Sequence, residues 1–378
     1  MKQIPPVDLT RQYELIKSEA DSAVLDLLSS GRYIGGEAVA TFEREFANYI
    51  GVGECVSCNS GTDALFLALK ALNIGAGDEV ITTSFSFFAT AETITRVGAT
   101  PIFIDLDLAT FNLNLARIER AITPRTKAIM PVHLFGQPVD MTRLMAIAKK
   151  HQLYVIEDCA QAAGAAWADK KIGSVGDVGC FSFFPTKNLG ACGDGGAVTT
   201  NNTAIAKQMR IFKEHGSPSR YRHDFVGINS RIDALQAVIL SVKLPYLDYW
   251  NQQRKQAAQY YQELLQHVEA IELPQALPEG NSVWNQYTVR IEQQAISQAD
   301  GRDLLQQKLR ARGVISMIYY PIPLHLQPVY EDLGYEKGQL PKVEQAAREV
   351  LSLPMFPGIS SEQQERVVDA LKDCLLEI

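Results

Sequence analysis

The residue best placed for covalent chemistry is Lys187, which directly follows the apolar segment FSFFPT of residues 181–186. Four glycines come soon after it: Gly190, Gly193, Gly195 and Gly196. Desolvation beside apolar residues lowers the pKa of a lysine, so that its neutral amine can attack a carbonyl and form a Schiff base. A surface lysine with a buried stem is the ordinary alternative. The glycines favour chemistry, because a plain surface loop has little need for such close backbone approach.

A second group of candidates lies in the turn CNSGT, residues 58–62, which precedes the apolar helical pattern DALFLAL of residues 63–69. Gly61 lets a ligand approach the backbone, and the free amides at a helix start bind phosphate well, together with the Thr62 hydroxyl. The same residues also fit an ordinary helix cap, which needs only a serine or a threonine. Taken alone, the turn leaves both interpretations open.

The third group is the acidic pair Glu157 and Asp158 at the end of the apolar run YVIED, residues 154–158. Successive side chains of a strand point to opposite faces, so one carboxylate is directed at a site and the other away from it. A surface carboxylate that caps the following helix is the simpler alternative.

Together the three groups match the needs of pyridoxal phosphate (PLP). This cofactor requires a lysine for its aldehyde, a carboxylate that keeps its ring nitrogen protonated, and a helix start with hydroxyls for its phosphate. Lys187, Asp158 and the hydroxyl pair Thr62 and Ser182 supply this set within one α/β segment. We therefore predict a PLP site with Lys187 and Asp158 as its catalytic residues.

Other kinds of site lack support in the sequence. Cys55 and Cys58 have the spacing of a metal or redox pair, but they lie in a predicted strand with opposite orientations. No second pair accompanies them, so no metal is expected. The chain contains neither a GxxxxGK[S/T] nor a GxGxxG motif for nucleotide phosphates, and it has no GxSxG elbow.

Composition excludes several partners. The 378-residue chain has a formal net charge of −7 and a pI of about 5.5, whereas nucleic-acid-binding proteins usually carry a basic excess. No stretch has the length and apolarity of a membrane span, and the N-terminus lacks the pattern of a signal peptide. Six cysteines in such a chain predict reduced thiols and a cytoplasmic location. The basic stretch 207–224 either faces a phosphorylated ligand or forms a solvated helix and loop.

The elements around these candidates must bring them together. Seven short apolar runs alternate with helical patterns between residues 54 and 200: ECVSC, EVITT, PIFID, AIMPV, LYVIED, VGCFSFF and GAVTT. Runs without polar alternation are typical of strands buried on both faces, and their alternation with helices predicts a mostly parallel, seven-stranded sheet flanked by helices. Ligands of such sheets bind beyond the carboxyl ends of the strands, which adds residues 84–88 and His133 as candidates.

The pattern changes around residue 231. A long helical stretch begins there, and Pro245 is expected to kink or break it. Beyond it, WNQYTVRI and GVISMIYY are predicted strands with a helix between them, and a final helix starts with a capping box at Ser360. We therefore predict a large domain over residues 1–245 and a smaller α+β domain over residues 246–378.

The motifs, in this order, resemble the DegT/DnrJ/StrS family of PLP-dependent nucleotide-sugar aminotransferases, which have the aspartate aminotransferase fold, or fold type I. The resemblance covers nearly the whole chain. It is carried by GRYIGGEAVATFEREFANYIGV, SGTDALFLALKAL, SFSFFATAET, PVHLFGQPVDM, VIEDCAQAAGA, FSFFPTKNLGACGDGG, GINSRIDALQA, WNQYTVR and YYPIPLHLQPVY. It implies an α/β PLP-dependent transferase fold, and it gives the glycines after the lysine the role of folding the backbone around the bound ring.

The resemblance also implies a role for each matching position. Lys187 binds the cofactor aldehyde and moves protons, Asp158 pairs with the ring nitrogen, and Gln161 supports the cofactor beside it. Phe87 stacks on the ring. The phosphate is held by Gly61, Thr62, Ser182 and, from the partner subunit of a homodimer with shared active sites, Asn229. The residues on the sugar-nucleotide side are Tyr33, Gly35, Gly36, Tyr320 and His325.

The implied reaction is a transamination in two stages. L-Glutamate gives its amino group to the cofactor, and a keto-sugar linked to dTDP or UDP then accepts it. The position is C3 rather than C4, because Asp63 follows SGT as in members that act on 3-keto sugars. One branch of the family has histidine in place of this lysine and dehydrates its substrates, so Lys187 favours amino transfer. The product enters amino-deoxysugar and polysaccharide biosynthesis.

Two alternatives stay open at this point. One is another fold type I enzyme, such as an amino-acid aminotransferase or a lyase. The other is a non-catalytic regulatory protein that has kept the fold, although such a protein has no need for Lys187, Asp158 and Ser182 together.

Overall fold

The computed structural model describes residues 3–292 and 301–378. Its strands are β1 (Glu54–Cys58), β2 (Glu79–Thr83), β3 (Thr100–Ile104), β4 (Thr126–Met130), β5 (Tyr154–Asp158), β6 (Ala166–Trp167), β7 (Lys170–Lys171), β8 (Val178–Ser182), β9 (Gly196–Thr200), β10 (Ile271–Glu272), β11 (Gly280–Asn281), β12 (Tyr287–Ile291) and β13 (Val350–Leu353). Its α-helices are α1 (Thr10–Ser30), α2 (Gly36–Ile50), α3 (Gly61–Ala71), α4 (Ala89–Arg96), α5 (Leu115–Ala121), α6 (Met141–His151), α7 (Thr203–Phe212), α8 (Ala234–Lys243), α9 (Leu247–Leu265), α10 (Gly301–Ala311), α11 (Pro341–Glu349) and α12 (Ser361–Leu376).

The large sheet has seven strands in the order β1-β9-β8-β5-β4-β2-β3. Neighbours from β8 to β3 pair in parallel, whereas β9 runs antiparallel to both β1 and β8. Each of the seven predicted apolar runs forms one of these strands. The predicted mostly parallel, seven-stranded sheet is therefore confirmed.

Two hydrophobic cores lie on the opposite faces of this sheet. One core packs α2, α6 and α8 against side chains such as Ile81 and Phe181, and the other packs α3 and α7 against side chains such as Val80. Cys55 belongs to the first core and Cys58 to the second, so the two thiols point to opposite faces as predicted. Because helices cover both faces, the strands need no polar alternation.

The chain leaves the large sheet through a helix that is interrupted at Pro245. The α-helix α8 ends at Lys243, a 3-10 turn spans Leu244–Tyr246, and α9 begins at Leu247. The predicted break at the proline is confirmed. Of the described helices, including the 21-residue α1, none is long and apolar enough to cross a membrane.

The C-terminal part is built on a three-stranded antiparallel sheet in the order β10-β12-β13. Side chains of α9, α10 and α12 share its core, which also includes Ile4 of the N-terminal segment. The last helix begins with a capping box in which Ser360 and Gln363 bond each other's backbone amides, as predicted. The division of the chain into two domains stays a prediction.

Residues 313–320 (GVISMIYY) do not form the predicted strand. Val314 pairs with Ile4, and Met317 pairs with Ser352, each as an isolated bridge. The two pairs join different partners, so no continuous ladder develops, and the prediction of a strand here is wrong.

Candidate active site

A cavity of about 590 Å³ opens at the carboxyl ends of β1, β2, β5 and β8. Tyr319 and Tyr320 form part of its wall from the C-terminal part of the chain. Of the predicted site residues, the following line it: Gly61, Thr62, Phe87, Asp158, Gln161, Ser182, Lys187 and Tyr320. One edge of the sheet thus brings together side chains that are far apart in sequence.

The start of α3 faces this cavity. Ser60 caps the helix, and its hydroxyl accepts a hydrogen bond from the Asp63 amide at 3.1 Å. The amides of Gly61 and Thr62 precede the first helical hydrogen bonds and have no intrahelical acceptor. The helix end beside Ser182 therefore offers the amides and hydroxyls that a phosphate group requires.

A glycine is required at position 61 because the start of α3 packs closely against Ser182. A Cβ atom at this position would lie 2.6 Å from the Cβ of Ser182. We expect Gly61→Ala to destabilise the chain by about 1–3 kcal/mol, as overpacking does. The displacement of Ser182 from Gly61 should also weaken PLP binding, because both residues are predicted to hold the phosphate.

Thermal unfolding and fluorescence titration with PLP test this expectation. Gly53→Ala is the matched control, because an added Cβ there meets its nearest atom only at 3.9 Å, at the opposite end of β1. Equal PLP affinity of the Gly61→Ala and Gly53→Ala proteins would contradict a phosphate role for Gly61.

The loop that carries Lys187 is folded back on itself. The Lys187 amide donates to the Phe184 carbonyl at 2.9 Å, and the amide of Ala191 donates to the Phe183 carbonyl at 2.8 Å. Gly190 packs directly against the backbone of Pro185, where no Cβ fits. This glycine therefore closes the loop on its own backbone, whereas only Gly195 of the four lines the cavity among the described residues.

A cluster of three buried amides anchors this loop. The Asn188 side-chain amide donates to Asn251 Oδ1 at 2.6 Å and to the Val283 carbonyl at 2.9 Å. Asn285 in turn donates to Asn188 Oδ1 at 2.7 Å. The residue next to Lys187 is thereby fixed to α9 and to the segment before β12.

Lys187 is half-buried, and burial lowers the pKa of its amine to about 8, although the negative charge of Asp158 opposes this. At pH 7 an amine with a pKa of about 8 is neutral in roughly one molecule in ten, against about one in three thousand at the ordinary pKa of a lysine. The lysine is therefore prepared for nucleophilic attack near neutral pH.

Asp158 lies at the end of β5 and is only 4% exposed. Its Oδ2 accepts a hydrogen bond from Thr90 at 2.8 Å, and its Oδ1 accepts one from the Ala160 amide at 3.2 Å. Burial raises the pKa of this carboxyl, while the Thr90 hydrogen bond lowers it. A positively charged ligand nitrogen beside it would keep it ionised.

Glu157 points to the other face of β5, as the alternation predicts. Its carboxylate accepts hydrogen bonds from the amides of Gly173, Val175 and Gly176 and contacts His133 Nε2 at 3.1 Å. His133 Nδ1 accepts a hydrogen bond from the Val139 amide, so the ring carries a proton on Nε2, toward Glu157. His133 is fully buried outside the cavity lining, and it forms one buried cluster with Glu157 and Cys159.

Gln161 and Tyr320 form a polar pair in the cavity wall. Gln161 Oε1 accepts from the Phe135 amide at 2.6 Å, which turns Nε2 toward the Tyr320 hydroxyl at 3.3 Å. Tyr320 accepts this bond, and burial raises the pKa of its hydroxyl, so its proton stays available to a ligand. Phe87 is 60% exposed, with its ring centroid 6.4 Å from that of Tyr320.

The remaining predicted residues do not line the cavity of a single chain as described: Tyr33, Gly35, Gly36, Asn229 and His325. Asn229 is exposed, and its backbone forms an isolated bridge with Glu214 of the same chain. His325 is 1% exposed, and its Nδ1 lies 2.6 Å from the Ser84 hydroxyl. Their predicted roles stay predictions.

Sequence reasoning did not single out Thr90, which lies in the cavity wall. In the sequence it is one of several hydroxyl residues that follow β2, and no spacing marks it as a partner of Asp158.

Residues 14–372 match the DegT/DnrJ/EryC1/StrS aminotransferase family. The chain belongs to this family. It is 47% identical over 372 residues to a pleiotropic regulatory protein of Geobacillus stearothermophilus, with 98% of each chain covered. It is 45% identical over 372 residues, again with 98% of each chain covered, to the UDP-N-acetyl-3-dehydro-alpha-D-glucosamine 3-aminotransferase of Acidithiobacillus ferrooxidans.

A solved structure from this family is closely similar throughout. The crystal structure of DesV from S. venezuelae, in complex with a ketimine intermediate, has a TM-score of 0.95 and 41% identity, and the match covers 100% of both chains. The predicted fold type I is therefore confirmed.

DegT-family aminotransferases depend on PLP, so this member is a PLP-dependent aminotransferase. Its own residues fit the cofactor. The cavity joins a nucleophilic lysine, a buried carboxylate and a helix start packed against a serine, which are the three groups that the aldehyde, the ring nitrogen and the phosphate need.

Proposed function

We propose that this aminotransferase moves an amino group from L-glutamate to C3 of a keto-sugar linked to UDP or dTDP, for amino-deoxysugar and polysaccharide biosynthesis. The observation that carries the proposal is the common cavity of Lys187 and Asp158 beside the start of α3. The 3-aminotransferase name of the Acidithiobacillus ferrooxidans relative supports the nucleotide sugar and the C3 position.

Each of the site residues would have a separate role toward the cofactor and the substrate. Bound PLP supplies an aldehyde and a protonated ring that withdraws electrons from the substrate carbon. Asp158 keeps the proton on the ring nitrogen, and the amides at the start of α3 hold the phosphate. Lys187 would hold the aldehyde through Nζ, and its amine, once released, would hold and move the proton at the substrate carbon.

The cavity of a single chain has little positive charge to offer the diphosphate of a nucleotide sugar. Among the described residues that line the cavity, Lys187 is the one cation, whereas Asp158 and Asp194 are acidic. A diphosphate needs positive charge from elsewhere. In a homodimer with shared sites, the segment before Asn229 would supply it through the exposed Arg220, whereas the nearby Arg222 already pairs with Asp224 at 2.8 Å.

A regulatory function is the second candidate, because the Geobacillus stearothermophilus relative is named as a pleiotropic regulatory protein. An aminotransferase converts its substrates in repeated turnovers, whereas a regulator of this fold would not. A regulator that keeps the fold has no use for a lysine with a pKa of about 8 beside a buried carboxylate in one cavity.

Absorbance of the purified holoprotein tests the first stage. Addition of L-glutamate should replace the visible band of the lysine-bound cofactor with the shorter-wavelength band of the aminated cofactor, and 2-oxoglutarate should appear. UDP- and dTDP-linked 3-keto-sugars should then restore the visible band, and the 4-keto isomers should do so more slowly. A visible band that glutamate leaves unchanged would exclude glutamate as donor, and restoration only by 4-keto sugars would exclude C3.

A further inference from the structure

Two buried hydroxyls stand behind Asp158. Thr90 is 1% exposed on the first turn of α4, and its Oγ1 lies 2.8 Å from Asp158 Oδ2. Ser86 is 4% exposed, and its Oγ lies 2.8 Å from the Thr90 hydroxyl oxygen. The three side chains form a continuous line from the loop after β2 to the end of β5.

The chemistry of the groups sets the direction of both hydrogen bonds. An ionised carboxylate only accepts, so the Thr90 hydroxyl must give its single proton to Asp158. Thr90 can then only accept from Ser86, which becomes the donor of the second bond. Both protons therefore point toward the carboxylate, an arrangement that strengthens each bond and stabilises negative charge on Asp158.

This support acts against the effect of burial. A carboxyl group away from water favours its neutral form, and burial does raise the pKa of Asp158. The Thr90 hydrogen bond is the largest effect that opposes the rise. Among the described residues, the other ionisable groups that interact with this carboxylate are Lys187, His133, Tyr320, Cys159 and Cys180.

We propose that Thr90, with Ser86 behind it, is the positioning residue that keeps Asp158 ionised and aimed at the cofactor ring nitrogen. This inference rests on the proposed role of Asp158. Through this pair, a hydroxyl that is bonded to the Asp158 carboxylate determines where the ring proton resides.

The same helix provides a matched control. Thr93 is also fully buried on α4, but its hydroxyl donates to the Ala89 carbonyl at 3.0 Å and does not reach Asp158. Thr93→Val and Thr90→Val remove the same group from the same helix. Only the second removes support from the carboxylate.

The test is an absorbance titration of the holoproteins against pH, with no amino donor or sugar present. A protonated ring is electron-poor and lowers the proton affinity of the nitrogen that joins Lys187 to the cofactor. Thr90→Val should weaken the binding of the proton to the ring nitrogen. The pH at which half of the visible band has been lost should therefore rise by about one unit. Thr90→Ser and Thr93→Val should keep the wild-type midpoint, and Ser86→Ala should shift it in the same direction but less.

Single-turnover reaction with L-glutamate gives the second readout. Thr90→Val should slow it roughly 10- to 150-fold, the range expected for one hydrogen bond to a charged group. An unchanged midpoint in Thr90→Val, or an equal shift in Thr93→Val, overturns the proposal. The titration does not depend on donor or acceptor, so a wrong sugar assignment leaves its result intact.

Discussion

Replacement of Lys187 by alanine should abolish amino transfer, with a fall in the rate of at least about 10³-fold. The amine is lost both as nucleophile toward the cofactor and as proton carrier. No described neighbour in the cavity wall can replace it, because Lys187 is the one cation there. Lys187→Arg should be as inactive, since a guanidinium stays protonated and is a poor nucleophile.

Absorbance and turnover of the Lys187→Ala protein measure this effect. Lys171→Ala is the matched control, because Lys171 is also half-buried with a pKa lowered by burial, but it contacts Asp248 and the Tyr49 ring outside the cavity. The control should keep the visible band and its activity. Normal turnover by Lys187→Ala would remove the lysine from the mechanism.

The same amine should make cofactor capture dependent on pH. Burial lowers the pKa of Lys187 to about 8, so the neutral, reactive form grows as the pH rises and is nearly complete above about pH 9. The rate at which the apoprotein captures PLP should therefore rise up to about pH 8 and then level off. A rate that continues to rise about tenfold per pH unit up to pH 10 would indicate an ordinary solvated lysine.

Asp158→Ala should produce the second large effect. Loss of one partner from a buried, hydrogen-bonded charge pair costs roughly 2–5 kcal/mol, which corresponds to about 30- to 5,000-fold in the rate of the glutamate half-reaction. PLP should still bind, because Lys187 and the start of α3 remain. Asp158→Asn should be similarly slow, since the amide keeps the shape but not the charge.

Single-turnover kinetics of the two Asp158 variants provide the measurement, with thermal unfolding as a check on folding. Asp177→Asn is the control at the opposite end of β5, where the Asp177 carboxylate accepts from the Val155 amide at 2.8 Å outside the cavity. A wild-type rate in Asp158→Asn would show that no charge at this position is needed.

The sequence predicted the large sheet well because its signal is local. Seven runs of β-branched and aromatic residues stand between helical patterns, and each run is a strand. The error at residues 313–320 has a different origin. That segment has the composition of a strand, but its neighbours Ile4 and Ser352 come from distant parts of the chain and meet it at single positions. Composition carries no information on such partners.

The residues of the candidate site show the same difference between local and long-range signals. Lys187 and Asp158 could be predicted because Asp158 ends one strand of a parallel sheet and Lys187 follows another, which places both at one edge. Thr90 could not, because its contact with Asp158 depends on how α4 is rotated on the sheet. His325 stands in a motif expected near the substrate, yet its ring bonds the buried Ser84 hydroxyl, a partner 241 positions away.

The interrupted helix at Pro245 also bears on recombination between family members. On one side of the proline, Lys243 of α8 donates to the Gly190 carbonyl at 2.6 Å, and on the other, Asn251 of α9 accepts from Asn188. A chimera joined at Pro245 would unite a lysine loop from one parent with its amide anchors from another. Parents that both retain Asn188, Asn251 and Asn285 keep these hydrogen bonds in the chimera, whereas a mismatched parent leaves a buried amide unpaired beside Lys187.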